Sequence, residues 1–293
     1  MKQRFLFLAL LACLHACTGM RRAYDPAVAQ ARMERDVRIL AADSMGGRPP
    51  GTDYERMAAD YIAAEFQRMG LKAQRLPFQV APAGGDSMAC LNLMALLDHH
   101  ADSTVVIGAH YDHLGMGGPQ SLEIRKKGIH PGADDNASGV ALLLELARGL
   151  SAAKTARYNY LFVATSAHEI GLWGVHSLLK EPSFRQHRIR RYLNLDMVGR
   201  LNPQRQVLRL SYCKDAPPPR DLEALGTEHG LLIRPDDAHS TVNDYSAVCA
   251  AGLPAISLTT GVHDDYHRTS DRPGLLNYPG MVQVLHYCRR LVE

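Results

Sequence analysis

Hydrophobic positions recur at helical spacing over residues 26–42 and again over 53–69, where Gly70 is placed to stop the second segment. Beyond Gly70 the period shortens. Residues 91–97 and 104–109 are short apolar runs, and the second, TVVIGA, has no polar interruption after its Thr, as in a strand covered on both faces. Helical spacing returns at 137–150, 171–180, 222–230, 243–251 and 278–292, with strand-like runs at 158–165, 192–195, 206–212 and 254–258. Strands that alternate with helices predict an α/β sandwich with a largely parallel sheet. No repeat, low-complexity tract or long linker divides the chain, so residues 26–293 are expected to form one domain.

The first seventeen residues, MKQRFLFLALLACLHAC, follow a different logic. Lys2 and Arg4 precede an apolar run from Phe5 to Leu14 that is too short to span a bilayer and fits a secretory signal peptide. Leu14-His15-Ala16-Cys17 resembles a bacterial lipoprotein box. The expectation is a leader over 1–16, a lipidated Cys17 and a tether over 17–25, with ordinary cleavage and a free Cys17 thiol as the alternative. It places the protein outside the cytoplasm, on the periplasmic face of the outer membrane in a Gram-negative host, held to the membrane only by its anchor. Without Lys2 and Arg4 the formal charge falls from +3 to +1, too balanced for a nucleic-acid binder. A composition of 46% hydrophobic and 22% charged residues excludes a disordered, collagen-like or coiled-coil chain. Cys90, Cys213, Cys249 and Cys288 contain no CxxC unit, which argues against a structural zinc knuckle; disulfides and buried thiols both remain open.

Fourteen histidines invite a metal hypothesis, and their placement gives it content. In open α/β sheets, ligands gather beyond the carboxyl ends of the strands. TVVIGA runs into His110-Tyr111-Asp112-His113, and GADDNASG, with Asp134 and Asp135, opens the next helix. The strand at 158–165 leads to His168-Glu169, the strand at 192–195 to Asp196, and the strand at 254–258 to a loop with His263, Asp264, Asp265, His267 and Asp271. Two histidines and three carboxylates suit zinc, and two Zn²⁺ with one hydroxide would neutralise them. A two-metal site polarises a carbonyl and generates hydroxide at neutral pH, as amide hydrolysis requires.

VIGAHYDHLG, GADDNASGVALLLELAR, FVATSAHEIGLWG, NLDMVGR and GLPAISLTTGVHDDYHRTSD, in that order over more than half the chain, resemble the co-catalytic zinc aminopeptidases, a family that includes glutaminyl cyclases. The resemblance implies a three-layer α/β/α sandwich with a mixed, mainly parallel sheet of about eight strands. It implies two Zn²⁺ and peptide substrates. One ion falls to His110 and Asp196 and the other to Glu169 and His267, with Asp135 bridging both and a cis peptide after it. Asp134 is the neighbour most easily exchanged for Asp135. Asp112 is implied as the acid orienting His110, and Asp271 as a similar partner near His267.

The family places Glu, as general base, where this chain has His168. A neutral imidazole can take a proton, so His168 is the expected base. A catalytically silent metal- or peptide-binding domain, and a base displaced onto Asp134 or Asp264, are the competing readings. Overall the expected activity is an aminopeptidase, with a glutaminyl-cyclase-like acyltransferase as the alternative. Asn243-Asp244-Tyr245 stands where the family has Ser-Asp-His. His99, His100, His113, His130 and His239 are read as surface or loop residues, Trp173 as core, and Ser138 as no nucleophile.

Overall fold

The Asp25 carboxylate accepts hydrogen bonds from the amides of Ala27 and Val28 and so starts α1 (Pro26–Leu40); Thr52 caps α2 (Asp53–Arg68) through Glu55 N–H. These elements come from a computed structural model that describes residues 25–81, 86–123, 127–153, 156–213, 221–235 and 243–293; the leader, Cys17 and His239 lie outside that range. The chain continues through β1 (Ala73–Val80), β2 (Met88–Leu97), β3 (Thr104–His110), α3 (Gly139–Ser151) and β4 (Asn159–Thr165). Next come α4 (Trp173–Leu178), α5 (Pro182–Arg185), β5 (Ile189–Leu195), β6 (Val207–Tyr212) and α6 (Leu222–Glu228). It closes with β7 (Leu232–Pro235), α7 (Asp244–Ala250), β8 (Ala255–Thr259) and α8 (Tyr278–Val292).

The eight strands form one mixed sheet in the order β1-β2-β4-β3-β5-β8-β6-β7. Its centre, β4-β3-β5-β8, is parallel, as is β6-β7, whereas β1-β2, β2-β4 and β6-β8 are antiparallel. Alternate side chains serve opposite faces. Val105, Ile107 and Ala109 pack with α1, α2, α3 and α8, while Val106, Leu161 and Val163 pack with α4, α5 and α7. Helices therefore cover both faces, and every residue of β3 is buried.

The two strands that the hydrophobic pattern does not announce, β1 and β7, are the sheet's two edges. β1 carries Pro77 and only two fully buried positions, and β7 is four residues long. An edge strand has one partner and one water-facing side, so it tolerates polar residues and proline.

Arg148 of α3 ties three helices together, donating to Asp36 of α1 at 2.9 Å, Glu65 of α2 at 2.6 Å and Glu145 at 3.0 Å. The cysteines divide between both expectations. Cys213 and Cys249 form a disulfide that joins the end of β6 to α7, and Cys90 and Cys288 are buried thiols.

Candidate metal centre

Parallel strands deliver their carboxyl ends to one edge of the sheet, and the chemistry collects there. His110 is the last residue of β3, Asp196 follows β5, Glu169 lies just beyond β4, and His267 lies in the loop after β8. Asp135 comes from the turn before α3. Gly132 opens that turn at φ 57°, and a Cβ there would lie 2.2 Å from the Asp135 carbonyl oxygen, so only glycine fits. The Asp135–Asn136 peptide bond is cis. Asn136 fastens the turn by donating to Leu195 O and accepting from Gly139 N and Met197 N.

Asp135 stands between the two histidines. One oxygen is 3.3 Å from His110 Nε2 and the other 3.1 Å from His267 Nε2. Asp196 approaches His110 Nε2 at 3.7 Å, and Glu169 approaches His267 Nε2 at 3.3 Å. Donors bound tetrahedrally at zinc distances are separated by about 3.3 Å, which these spacings bracket. The ring nitrogens His110 Nε2 and His267 Nε2 are buried without a hydrogen-bond partner among the described residues, the state expected of ligands. A divalent cation therefore fits this donor set.

The charges agree with that fit. Burial lowers the basicity of His267, yet Asp135 and Glu169 outweigh it and push the imidazole up to about 10. His110 is likewise raised by Asp112, Asp135 and Asp196 against the pull of burial. Burial and the Asp135 charge raise Glu169, but His113 and His267 more than reverse this and bring it down to about 2. Carboxylates thus dominate the field at these imidazoles, and such a pocket favours positive charge, which a metal ion can supply.

Asp134 and Asp135 separate cleanly. Asp134 accepts from Gly199 N at 2.7 Å and lies 3.2 Å from His263 Nε2, away from the centre that Asp135 joins. Asp264 is exposed. Asp112 lies 3.7 Å from His110 Nδ1, and its oxygens accept from the amides of His168 and Glu169. Asp271 does not orient His267, whose Nδ1 faces the Gln120 carbonyl at 2.8 Å. Instead its carboxylate accepts from the amides of Asp134 and Asp135, where a turn leaves them without other partners, and so holds the Asp135 loop.

His168 lies beside this set. Its ring stacks on that of His110 with centroids 3.8 Å apart, and donor atoms of His110, His168 and Asp196 lie within 4.8 Å of one another. Its Nδ1 is 2.9 Å from Asp244 Oδ1, and the other Asp244 oxygen accepts from the Thr165 hydroxyl at 2.6 Å. Because a carboxylate only accepts, Nδ1 carries the proton and Nε2 presents a lone pair in the neutral ring. Burial and the neighbouring His110 lower His168, but Asp244 outweighs them and raises it to about 9.

His113 and His130 lie in loops, one of the two settings expected of them, but they are fully buried and not at the surface. His130 is held by Ser121 and the Gly128 carbonyl, whereas His113 reaches Glu169. His113 and Asp244 are the site residues that the sequence reading missed. The available signals were the position of His113 in the same four-residue run as His110 and Asp112, and the acid kept at Asp244 beside a changed neighbour.

The sequence profile of peptidase family M28 matches residues 92–292. Among curated relatives, the alkaline phosphatase isozyme conversion protein of Escherichia coli K12 is 33% identical over 146 residues, covering 47% of this chain and 42% of that protein. A probable leucine aminopeptidase of Trichophyton verrucosum is 32% identical over 191 residues, covering 62% of this chain and 44% of that protein. The chain thus spans less than half the length of these relatives. A solved structure of a Bacteroides thetaiotaomicron leucine aminopeptidase precursor is similar with a TM-score of 0.77 at 17% identity, covering 92% of this chain and 97% of that one. A Bacteroides thetaiotaomicron glutaminyl cyclase bound to N-acetylhistamine gives the same values. At this identity the likeness establishes the fold and does not separate the two chemistries.

Proposed function

The chain belongs to peptidase family M28, and we propose that it is a zinc-dependent aminopeptidase that removes N-terminal residues from peptides. The observation that carries this reading is Asp135 held between His110 and His267, with Asp196 and Glu169 on either side. His110, Asp196 and Asp135 would hold one zinc ion, and Glu169, His267 and Asp135 a second. When bound, the pair supplies carbonyl polarisation and an activated water. His168 Nε2, in the neutral ring that cations bound beside it would favour, would take a proton from the attacking water and return it to the leaving amine, while Asp244 keeps the proton on Nδ1 and fixes the ring. A nucleophilic mechanism through Ser138 is disfavoured because its hydroxyl is engaged with Asp134 O and Val198 N.

Export and a lipid anchor at Cys17 complete the reading, supported by the leader sequence and by the Cys213–Cys249 disulfide, a bond favoured in oxidising compartments. No helix among the described residues is long and apolar enough to cross a membrane.

Wild type, His168→Ala and His168→Glu, matched for zinc content, should be assayed on aminoacyl amides and on a peptide with N-terminal Gln. The expected result is hydrolysis by the wild type, a loss of about 10²–10⁴-fold in kcat for the Ala variant, and substantial activity for the Glu variant. Equal turnover in wild type and His168→Ala contradicts the base role. Cyclisation of the Gln peptide without amide hydrolysis contradicts the aminopeptidase.

A further inference from the structure

His113 is buried completely, three residues after His110, and the fold makes room for it from several directions. Its backbone amide donates to Arg48 O, and the Arg48 guanidinium in turn donates to the carbonyls of Tyr111, Pro131 and Gly132. The His113 ring lies against Gly132, where a Cβ would come within 2.6 Å of it. From this seat Nδ1 reaches Glu169 Oε1 at 2.7 Å, and the ring meets His267 edge to face at 5.7 Å. Glu169 therefore has its two oxygens divided: Oε1 faces His113, and Oε2 faces His267 Nε2 at 3.3 Å.

His113 could serve this centre as a sixth ligand or as a donor to a ligand, and the distances discriminate. His113, Asp135 and Glu169 do bring three donor atoms within 4.8 Å of one another. The separation of 2.7 Å from Glu169, however, is shorter than the edge of about 3.3 Å between tetrahedral zinc ligands, and it fits an N–H···O hydrogen bond. The separation from Asp135 Oδ2, 3.9 Å, is longer than that edge. A ligating imidazole normally gives its other N–H to an acceptor. His267 meets that condition through Gln120 O, and His110 Nδ1, though not hydrogen-bonded, faces the Asp112 carboxylate at 3.7 Å; His113 Nε2 has no partner among the described residues. Ligation through Nδ1 would bury an N–H at Nε2 with nothing to accept it.

Resting on the two-zinc reading above, we infer that His113 is a positioning residue that donates Nδ1–H to Glu169 Oε1, so that Glu169 offers the metal one oxygen, Oε2, in fixed orientation. His113 is not itself a ligand. Its removal frees the carboxylate to rotate and weakens the ion shared by Glu169 and His267, leaving the His110 and Asp196 ion less affected.

The test is zinc affinity of the full-length protein, measured by competition with a chromophoric chelator, for wild type, His113→Ala and His113→Asn. An Asn side-chain amide places an N–H near the position of Nδ1 and is a poor zinc ligand. The expected result is two equivalents of zinc in the wild type, with one of them weakened about 10–100-fold in the Ala variant and restored to within a few-fold by Asn. An Asn variant as weak as Ala overturns the inference in favour of ligation, and an Ala variant as tight as wild type overturns it in favour of simple packing. Absence of zinc binding in the wild type overturns the underlying metal reading instead. The unaltered protein gives an independent check. Loaded with ¹¹³Cd, it should show scalar coupling from cadmium to ring nitrogens of His110 and His267 and none to His113; coupling to His113 Nδ1 overturns the inference.

Discussion

Asp244 gives one oxygen to His168 Nδ1 and the other to Thr165, so its carboxylate is fixed before any substrate arrives. Asp244→Asn can turn its amide toward His168, donate to Nδ1 and force the ring into the wrong tautomer. We expect kcat to fall by about 10²–10⁴-fold, with KM and bound zinc little changed. Steady-state kinetics with metal analysis on the same sample checks this, and an unchanged kcat removes Asp244 from the mechanism. The proposed ligands are legible in the sequence because each one follows a recognisable apolar strand or opens a helix with an unusual Asp-Asp turn. His113 was not legible in that way. Its burial depends on Gly132, Arg48 and Glu169, which come from three distant segments, and a single histidine in a loop carries no local mark of such a seat. The Asp271 role was misjudged for a related reason. Proximity to His267 in sequence pointed to that ring, whereas the backbone amides of Asp134 and Asp135 are the groups that need an acceptor.

The central elements of the fold follow from hydrophobic period alone, since β3, β4 and β8 and the second half of β5 are almost wholly buried and the apolar positions of the long helices recur at helical spacing. The edges do not, because β1 and β7 lack the burial that imposes alternation. Nor does the sequence pattern pair Arg148 with Asp36 and Glu65, which belong to separate helices brought together by packing. Arg148 is nearly buried and its three partners more so; Arg148→Ala removes its charge-assisted hydrogen bonds while Arg35 still pairs with Asp36 and Glu65 and Arg32 with Glu145, and should cost about 1.5–3 kcal/mol. Burial alone would raise Glu65, but Arg148, with Arg35 and Arg68, brings it below the usual 4.5. A depressed folded value stabilises the protein above pH 4.5 and is lost as pH falls through it. The Ala variant should therefore be less stable at neutral pH and show a shallower loss of stability on acidification below pH 4.5. Urea unfolding at several pH values reports both effects, and equal stability at neutral pH would show that the network is energetically idle.

At the scale of the whole molecule, a formal charge of +3, or +1 if Lys2 and Arg4 leave with the expected leader, is too balanced for a protein that relies on a basic surface to bind a polyanion. If Cys17 carries the anchor, Cys17→Ser should move the protein from the membrane fraction to the soluble exported fraction without changing its turnover. Fractionation followed by mass analysis of the N-terminus checks this; membrane retention of the Ser variant excludes Cys17 as the attachment point. The proposed function makes the sheet edge that gathers His110, Asp135, Glu169, Asp196 and His267 a two-metal hydrolytic centre. The most direct measurement is zinc per chain and aminoacyl-amide turnover on one sample, before chelation, after chelation and after zinc is returned. Two zinc ions per chain, loss of turnover on stripping and recovery on reloading are predicted. Full turnover in the stripped protein, or a zinc-loaded protein that hydrolyses no aminoacyl amide, would contradict the account.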